Sequence, residues 1–190
     1  MSLVFFDTEF TGLYKDCNLI SIGLVSEDGK EFYAEIDDDK LKYVDSWVEE
    51  NVLANTVTYG DEWVLNIVED ENNFYVGSKE EIGEALREWL AQFDEVELVS
   101  DVCHYDMVLF IDLFGTAFDL PNNVGASCHD INQDIASLYK ISEHEAFDYS
   151  REKILEGHNI NTEGAKHNAM YDARVIKAIY EILQKEIDEV

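Results

Sequence analysis

The chain is poor in three residue classes, and each scarcity excludes something. Proline occurs once, at Pro121, so no proline-rich linker divides the 190 residues. Cysteine occurs three times (Cys17, Cys103, Cys128), an odd number without a C-x-x-C pair. That excludes a secreted disulfide framework and sets the expectation of a reducing, cytoplasmic setting. Basic side chains are scarce as well: 13 Lys and Arg stand against 42 Asp and Glu, a formal net charge of −29. Such a surface does not grip long nucleic acid by neutralising phosphates, because that mode of binding is built from Lys and Arg. No apolar run approaches the roughly 18 residues of a membrane span. The opening Met1-Ser2-Leu3-Val4-Phe5-Phe6-Asp7 also has no basic segment ahead of its apolar one, unlike a secretory leader. No membrane partner is expected.

What is abundant is core material. Hydrophobic residues make up 46% and aromatics 12% of the chain, which excludes a disordered or collagen-like polymer. A chain of this length buries about 70% of the surface its unfolded form exposes, so one domain over 1–190 can fold unaided.

The order of elements points to an α/β layered domain. Leu3 to Phe6 reads as a buried strand ending at a carboxylate, and Leu19 to Val25 as a second. Glu27-Asp28-Gly29-Lys30 is a hairpin turn, and Glu31 to Ile36 returns as a third strand. This meander implies a mixed sheet with its first strand near the centre. Tyr43 to Leu53 has helical spacing with Val44, Trp47, Val48 and Val52 on one face, whereas residues 55–76 show no period. Ser78 with Glu81 forms a capping box before a helix carrying Ile82, Ala85, Leu86, Trp89, Leu90 and Phe93. Val96 to Val99 is a fourth strand, and Met107 to Phe114 a strongly apolar, buried helix. Helices follow over Ile131–Tyr139, from a Ser142/Glu145 cap toward Gly157, and from Ala169 to the end, after a Gly- and Asn-containing loop at 157–168.

Three acidic features carry chemistry. Asp7 and Glu9 are two apart in a strand, so they share a face unless the strand bends. Like charges held so close persist comfortably only around a cation, and carboxylate oxygens select hard divalent ions. The plain alternative is a solvated strand end in a chain with 42 acids. Near the C-terminus, His167 precedes Asp172 across a helix start, and both can face one cleft; an ordinary first-turn acid is the competing reading. In mid-chain, Tyr105-Asp106 opens the apolar helix, where an unpaired carboxylate is costly to bury. Asp112, on the same helix, competes for that role.

Together these elements, in this order from Asp7 to Asp172, resemble the DEDDh class of 3′-5′ exonucleases, the ribonuclease T and oligoribonuclease superfamily. Phe6-Asp7-Thr8-Glu9-Phe10, Leu19-Ile20-Ser21-Ile22-Gly23, Glu49-Glu50-Asn51-Val52-Leu53 and Tyr105-Asp106 look like the compact, mycobacterial-type exoribonuclease-like group. The resemblance implies a ribonuclease H-like three-layer fold with a central mixed β-sheet flanked by helices. It implies two ions, Mg²⁺ or Mn²⁺, held by Asp7, Glu9, Asp106 and Asp172, with His167 as the general base. The substrates would be 3′ ends of single-stranded RNA or DNA, shortened to nucleoside 5′-monophosphates, and the assembly a homodimer. By the same analogy Phe10, Thr11, Gly12 and Leu13 meet the terminal nucleotide, although Phe10 can equally be core. One departure stands out: many relatives carry Asn four or five residues before the central Asp, where this chain has Asp101, a supporting acid or an alternative ligand.

Four carboxylates balance two dications, so the site itself need not repel phosphate. The remaining acids disfavour a long polyanion, and a preference for short substrates follows. Seven basic residues in the last third (Lys140, Arg151, Lys153, Lys166, Arg174, Lys177, Lys185) offer a strip to guide a strand. Other readings are thinner. His129-Asp130 hints at an HD phosphohydrolase without its further ligands, and Cys103-His104 with Cys128-His129 at a zinc site with unfamiliar spacing. Asp37-Asp38-Asp39 lacks the glycine and distal glutamate of a calcium loop and reads as a solvated turn. The alternative from another class is a non-catalytic acidic protein that mimics nucleic-acid charge and binds a basic partner.

Overall fold

The computed structural model describes residues 1–38, 41, 44–60, 73–161 and 164–188. The first strand is longer than the apolar run alone suggests: β1 spans Ser2–Phe10, so Asp7 and Glu9 lie inside it rather than beyond its end. Antiparallel pairing with β2 (Leu19–Ser26) and then β3 (Glu31–Ile36) produces the expected meander. Gly29 closes the hairpin at φ 86°, where a side chain would be strained. Two further strands pair in parallel: β5 (Val96–Ser100) with β1, and β6 (Val124–Asp130) with β5. The short β4 (Phe74–Gly77) joins β3, giving the order β4-β3-β2-β1-β5-β6 with β1 in the interior.

Alternation along β1 divides the core. Val4 and Phe6 point to one face, where they meet α1 (Ser46–Asn51), α2 (Lys79–Leu90) and α3 (His104–Phe114). Phe5 points to the other, against α4 (Ile131–Tyr139), α5 (Glu143–Phe147), α6 (Arg151–Gly157) and α7 (Ala169–Asp188). Helices on both faces of a mixed sheet make the three layers expected. The Ser78–Glu81 capping box forms as read. No helix among the described residues is long and apolar enough to cross a membrane.

Several local expectations need correction. The helix expected over Tyr43–Leu53 starts at Ser46, where the Asp45 carboxylate accepts the Val48 N–H; Tyr43 lies outside the described residues, as do 61–72 and Asp39. Trp47 leaves the face assigned to it and stands exposed, whereas Val48 and Val52 are buried. The helix over Met107–Phe114 is buried on one side only, with Val108 open to solvent. The segment from Ser142 to Gly157 is two helices, broken at Asp148–Ser150. β4 and β6 were not anticipated at all.

Candidate active site

Parallel pairing of β1 and β5 brings their carboxyl ends to the same edge of the sheet, where ligand sites of α/β sheets gather. A cleft of about 660 Å³ opens there, and Asp7, Glu9, Asp106, His167 and Asp172 all line it. Three separate elements supply the acids. Asp7 and Glu9 follow Phe5 on the α7 face of β1, Asp106 comes from the first turn of α3, and Asp172 from the first turn of α7.

A missing side chain lets α7 come so close. Gly23 of β2 is paired directly with Asp7 of β1. A Cβ built on Gly23 would stand 2.4 Å from the Ala169 carbonyl and 2.5 Å from the Met170 nitrogen. The start of α7 therefore rests on the bare strand backbone, which delivers Asp172 to the carboxylates of β1. The signal in the sequence is a lone glycine inside a largely apolar strand, the usual mark of close backbone approach.

His167 adopts a left-handed backbone, φ 65°, and its N–H donates to Asp172 Oδ2 at 2.8 Å. Its imidazole Nδ1 lies 4.0 Å from Glu9 Oε1, and the Trp47 ring meets it edge-on at 5.3 Å. Glu9, His167 and Asp172 offer ligand atoms all within 4.8 Å of one another. The next residue, Asn168, is fully buried and holds this corner together. Its Oδ1 accepts from Met170 N and Tyr171 N, and its Nδ2 donates to the Asn55 carbonyl at 2.7 Å and to the Tyr33 hydroxyl at 3.2 Å. Asn55 Nδ2 in turn donates to the Lys166 carbonyl, so both neighbours of His167 are tied down. Asn168 escaped the sequence reading, although an Asn directly before a helix is a recognisable cap.

Asp106 is held from β1 and β5. Thr8 donates through its hydroxyl at 2.5 Å and its N–H at 3.2 Å, and Ser100 Oγ donates at 3.0 Å. Asp112 turns away to pair with Lys79 at 2.5 Å, which removes it as a candidate. Asp101 lines the cleft in a bidentate pair with Arg151, at 2.6 and 2.7 Å, so it acts as a buttress. Of the four residues assigned to the terminal nucleotide, Phe10 and Leu13 line the cleft. Phe10 is also part core, stacked on Tyr105 at 5.3 Å. Thr11 and Gly12 form the turn behind it, the Thr11 hydroxyl engaged with Tyr14 and Asn18. Of the seven residues of the basic strip, Arg151, Arg174 and Lys177 are committed to protein acceptors, whereas Lys166 lines the cleft with an exposed side chain.

Electrostatics define what the site lacks. Burial, reinforced by the neighbouring acids, drives Asp7 and Glu9 well above the carboxylate range. Burial pushes Asp172 up to about 7 and Asp106 to about 6, against the hydrogen bonds that favour their charged forms. Acids that crowd one another this way are stable as carboxylates only against cations, and hard divalent ions fit an oxygen-rich donor set. His167 moves the other way, lowered by burial and by the nearby Lys166, so the imidazole is neutral at neutral pH.

The thinner metal readings fail. His129 is bound to Asp134 at 2.6 Å and Asp130 caps α4, which dismantles an HD centre and withdraws His129 from zinc. Among the described residues, the cluster with metal-ligand geometry is Glu9, His167 and Asp172.

Comparison with known proteins shows the family and the fold. Residues 2–184 match the domain family described as Rv2179c-like, 3′-5′ exoribonuclease Rv2179c-like domain. The 3′-5′ exoribonuclease Rv2179c of Mycobacterium tuberculosis is 31% identical over 132 residues, 68% of this chain and 71% of that protein. Among solved structures, the nuclease domain of 3′hExo, a DEDDh family member bound to rAMP, superposes with a TM-score of 0.69 at 13% identity, covering 97% of this chain and 92% of that one. A 3′-exonuclease recognising the 3′ end of histone mRNA stem-loop gives 0.67 at 13% identity and 97% coverage; this chain spans only 64% of its length. Pop2p of S. pombe in its Mg²⁺- and Mn²⁺-bound form gives 0.60 at 15% identity, covering 99% and 85% of the two chains. The chain belongs to the Rv2179c-like 3′-5′ exoribonuclease domain family and is a 3′-5′ exonuclease.

Proposed function

We propose that residues 1–190 form one exoribonuclease domain that removes nucleoside 5′-monophosphates from the 3′ end of short, single-stranded RNA with the help of two divalent ions. The observation carrying this reading is the convergence of Asp7, Glu9, Asp106 and Asp172 beside a half-buried His167 in one cleft. The four carboxylates would hold Mg²⁺ or Mn²⁺, which supplies charge stabilisation for an in-line displacement at phosphorus. His167 takes the proton of the attacking water, a task suited to an imidazole that is neutral at working pH. The 3′-oxygen of the upstream nucleotide leaves. Phe10 and Leu13 border the terminal nucleotide, and Thr11 with Gly12 shapes the turn that presents them. The charge of −29 supports short substrates, because the field repels a long polyanion before it reaches the cleft.

Incubating 5′-labelled RNA and DNA oligomers with Mg²⁺ or Mn²⁺ tests the reading, with His167→Ala in parallel. The expected result is a ladder shortening from the 3′ end in the wild type alone, faster on RNA. Internal fragments, or equal activity in the variant, would overturn it. A dinucleotide should also be cleaved faster than an oligomer of about forty nucleotides, the longer phosphate chain feeling more of the acidic field; equal rates would remove the length preference.

A further inference from the structure

The cleft has two walls from opposite faces of the sheet. Phe10 and Tyr105 belong to the α3 side. The opposite wall is the connection between α5 and α6, whose flanking residues Ala146 and Leu155 pack in the second core. That wall presents two aromatic rings to the cleft, Phe147 at 55% exposure and Tyr149 at 39%. Tyr149 is backed by Tyr139, stacked at 5.4 Å and 18° between planes. A large apolar ring this exposed on the rim of the cleft is not needed for the core.

The wall is rigidly mounted. Arg151 uses all five of its N–H donors within the protein: two to Asp101, one to Asn132 Oδ1 at 2.5 Å, and two to the carbonyls of Ala146 and Tyr149 at 2.8 and 2.5 Å. Asn132 closes the network by donating to Asp101 and Asp130. This guanidinium, the most obvious phosphate ligand in the cleft, is therefore withdrawn from substrate and fixes the backbone that carries Phe147 and Tyr149. The remaining cation, Lys166, faces Glu152 at 3.7 Å. Among the described residues, the cleft offers two exposed aromatic rings and, besides the committed Arg151, the single exposed cation Lys166.

We propose that Phe147 and Tyr149 are a stacking platform for the nucleobase on the 5′ side of the scissile phosphate. This deepens the exonuclease reading and rests on it. With the carboxylates between the two walls, a terminal base near Phe10 leaves its upstream neighbour opposite, against Phe147. Stacking is indifferent to base identity and requires an unpaired base, so the platform selects single-stranded ends without reading sequence. It also binds without counterion release, so substrate affinity depends weakly on salt.

The test compares ApA with an analogue in which the upstream nucleoside is an abasic riboside, both with Mn²⁺. In the wild type the base should raise kcat/KM roughly tenfold over the abasic analogue, the range a single stacked base supplies. In Phe147→Ala/Tyr149→Ala that ratio should fall to near one, whereas Tyr149→Phe should keep it. An unchanged base-to-abasic ratio in the double variant, with ApA still turned over, overturns the platform alone. Absence of ApA turnover by a wild type that still shortens longer RNA from the 3′ end overturns the platform alone; absence of turnover on both overturns the exonuclease reading and the platform with it.

Discussion

The molecule buries carboxylates in two ways, and they lie on either side of one helix start. Glu35 of β3 is 1% exposed and surrounded by donors. Its oxygens accept from the Tyr33 hydroxyl at 2.7 Å, the N–H groups of Val57 and Thr58 at 2.5 and 2.8 Å, and the Thr58 hydroxyl. The charge is dispersed into the protein, and the result is a clamp on the loop after α1. At the cleft, Asp7 and Glu9 face Asp106 and Asp172 instead, and each acid raises the cost of ionising the others. One acid is complete within the chain; the other group requires a partner from outside. A buried carboxylate alone therefore says little about function, and the chemistry of what surrounds it says a great deal.

Paired substitutions break or confirm that contrast. Asp7→Asn should lower Mn²⁺-supported turnover by about a thousandfold or more, since it removes a charge where the reaction develops one. The same change should leave the metal-free protein at least as stable as the wild type, because a carboxyl that burial and its neighbours make costly to ionise is gone. Glu35→Gln should do the reverse. It replaces a two-oxygen acceptor with a group that meets part of the donor set with its own N–H₂, and should cost about 3 kcal/mol of stability. Turnover per folded molecule should change far less. Denaturant melts and turnover assays on both variants suffice; a large stability loss in Asp7→Asn would erase the distinction.

The same contrast governs pH. Asp172 and Asp106 hold protons in the folded, metal-free chain up to about 7 and about 6, whereas unfolded they ionise near 4. Between about 4 and 7 the native state binds more protons than the unfolded one, so stability falls as pH rises through that window. In EDTA the melting temperature should decline from pH 5 to pH 8, and Mn²⁺ should raise it far more at pH 8, a difference on the order of a few kcal/mol. An Mn²⁺ shift equal at both pH values would mean that the acids are not the ligands.

Legibility in the sequence followed burial. β1, β2, β3 and β5 form the interior of the sheet and announce themselves as apolar runs, from which the layer architecture follows. The two strands that were missed, β4 and β6, are the sheet edges. An edge strand has one neighbour and a wetter surface, so Gly125, Ser127 and His129 of β6 carry no recognisable period. The five residues expected to bind metal or act as base all line the cleft, and of the four assigned to the terminal nucleotide Phe10 and Leu13 do. Their supports were mostly invisible: Thr8, Ser100 and Arg151 act through contacts between residues as many as 98 positions apart, which no local pattern encodes.

Gly23 shows how the two acidic sites are joined. The start of α7 touches both: Asn168 reaches through the Tyr33 hydroxyl toward Glu35, while His167 and Asp172 turn to the cleft. All of them depend on α7 resting on β2 at Gly23. In Gly23→Ala the new methyl meets backbone, not the tip of a flexible side chain, so the helix start must shift. Overpacking of this kind costs about 1–3 kcal/mol. A displacement of a few tenths of an ångström to 1 Å at Asp172 and His167 should lower kcat up to about a hundredfold. Unlike Asp7→Asn or Glu35→Gln, this substitution should therefore depress the melting temperature and kcat together. A variant that loses stability while retaining kcat would show that the site tolerates movement of α7, and that the two buried acids are coupled less tightly than their shared helix start implies.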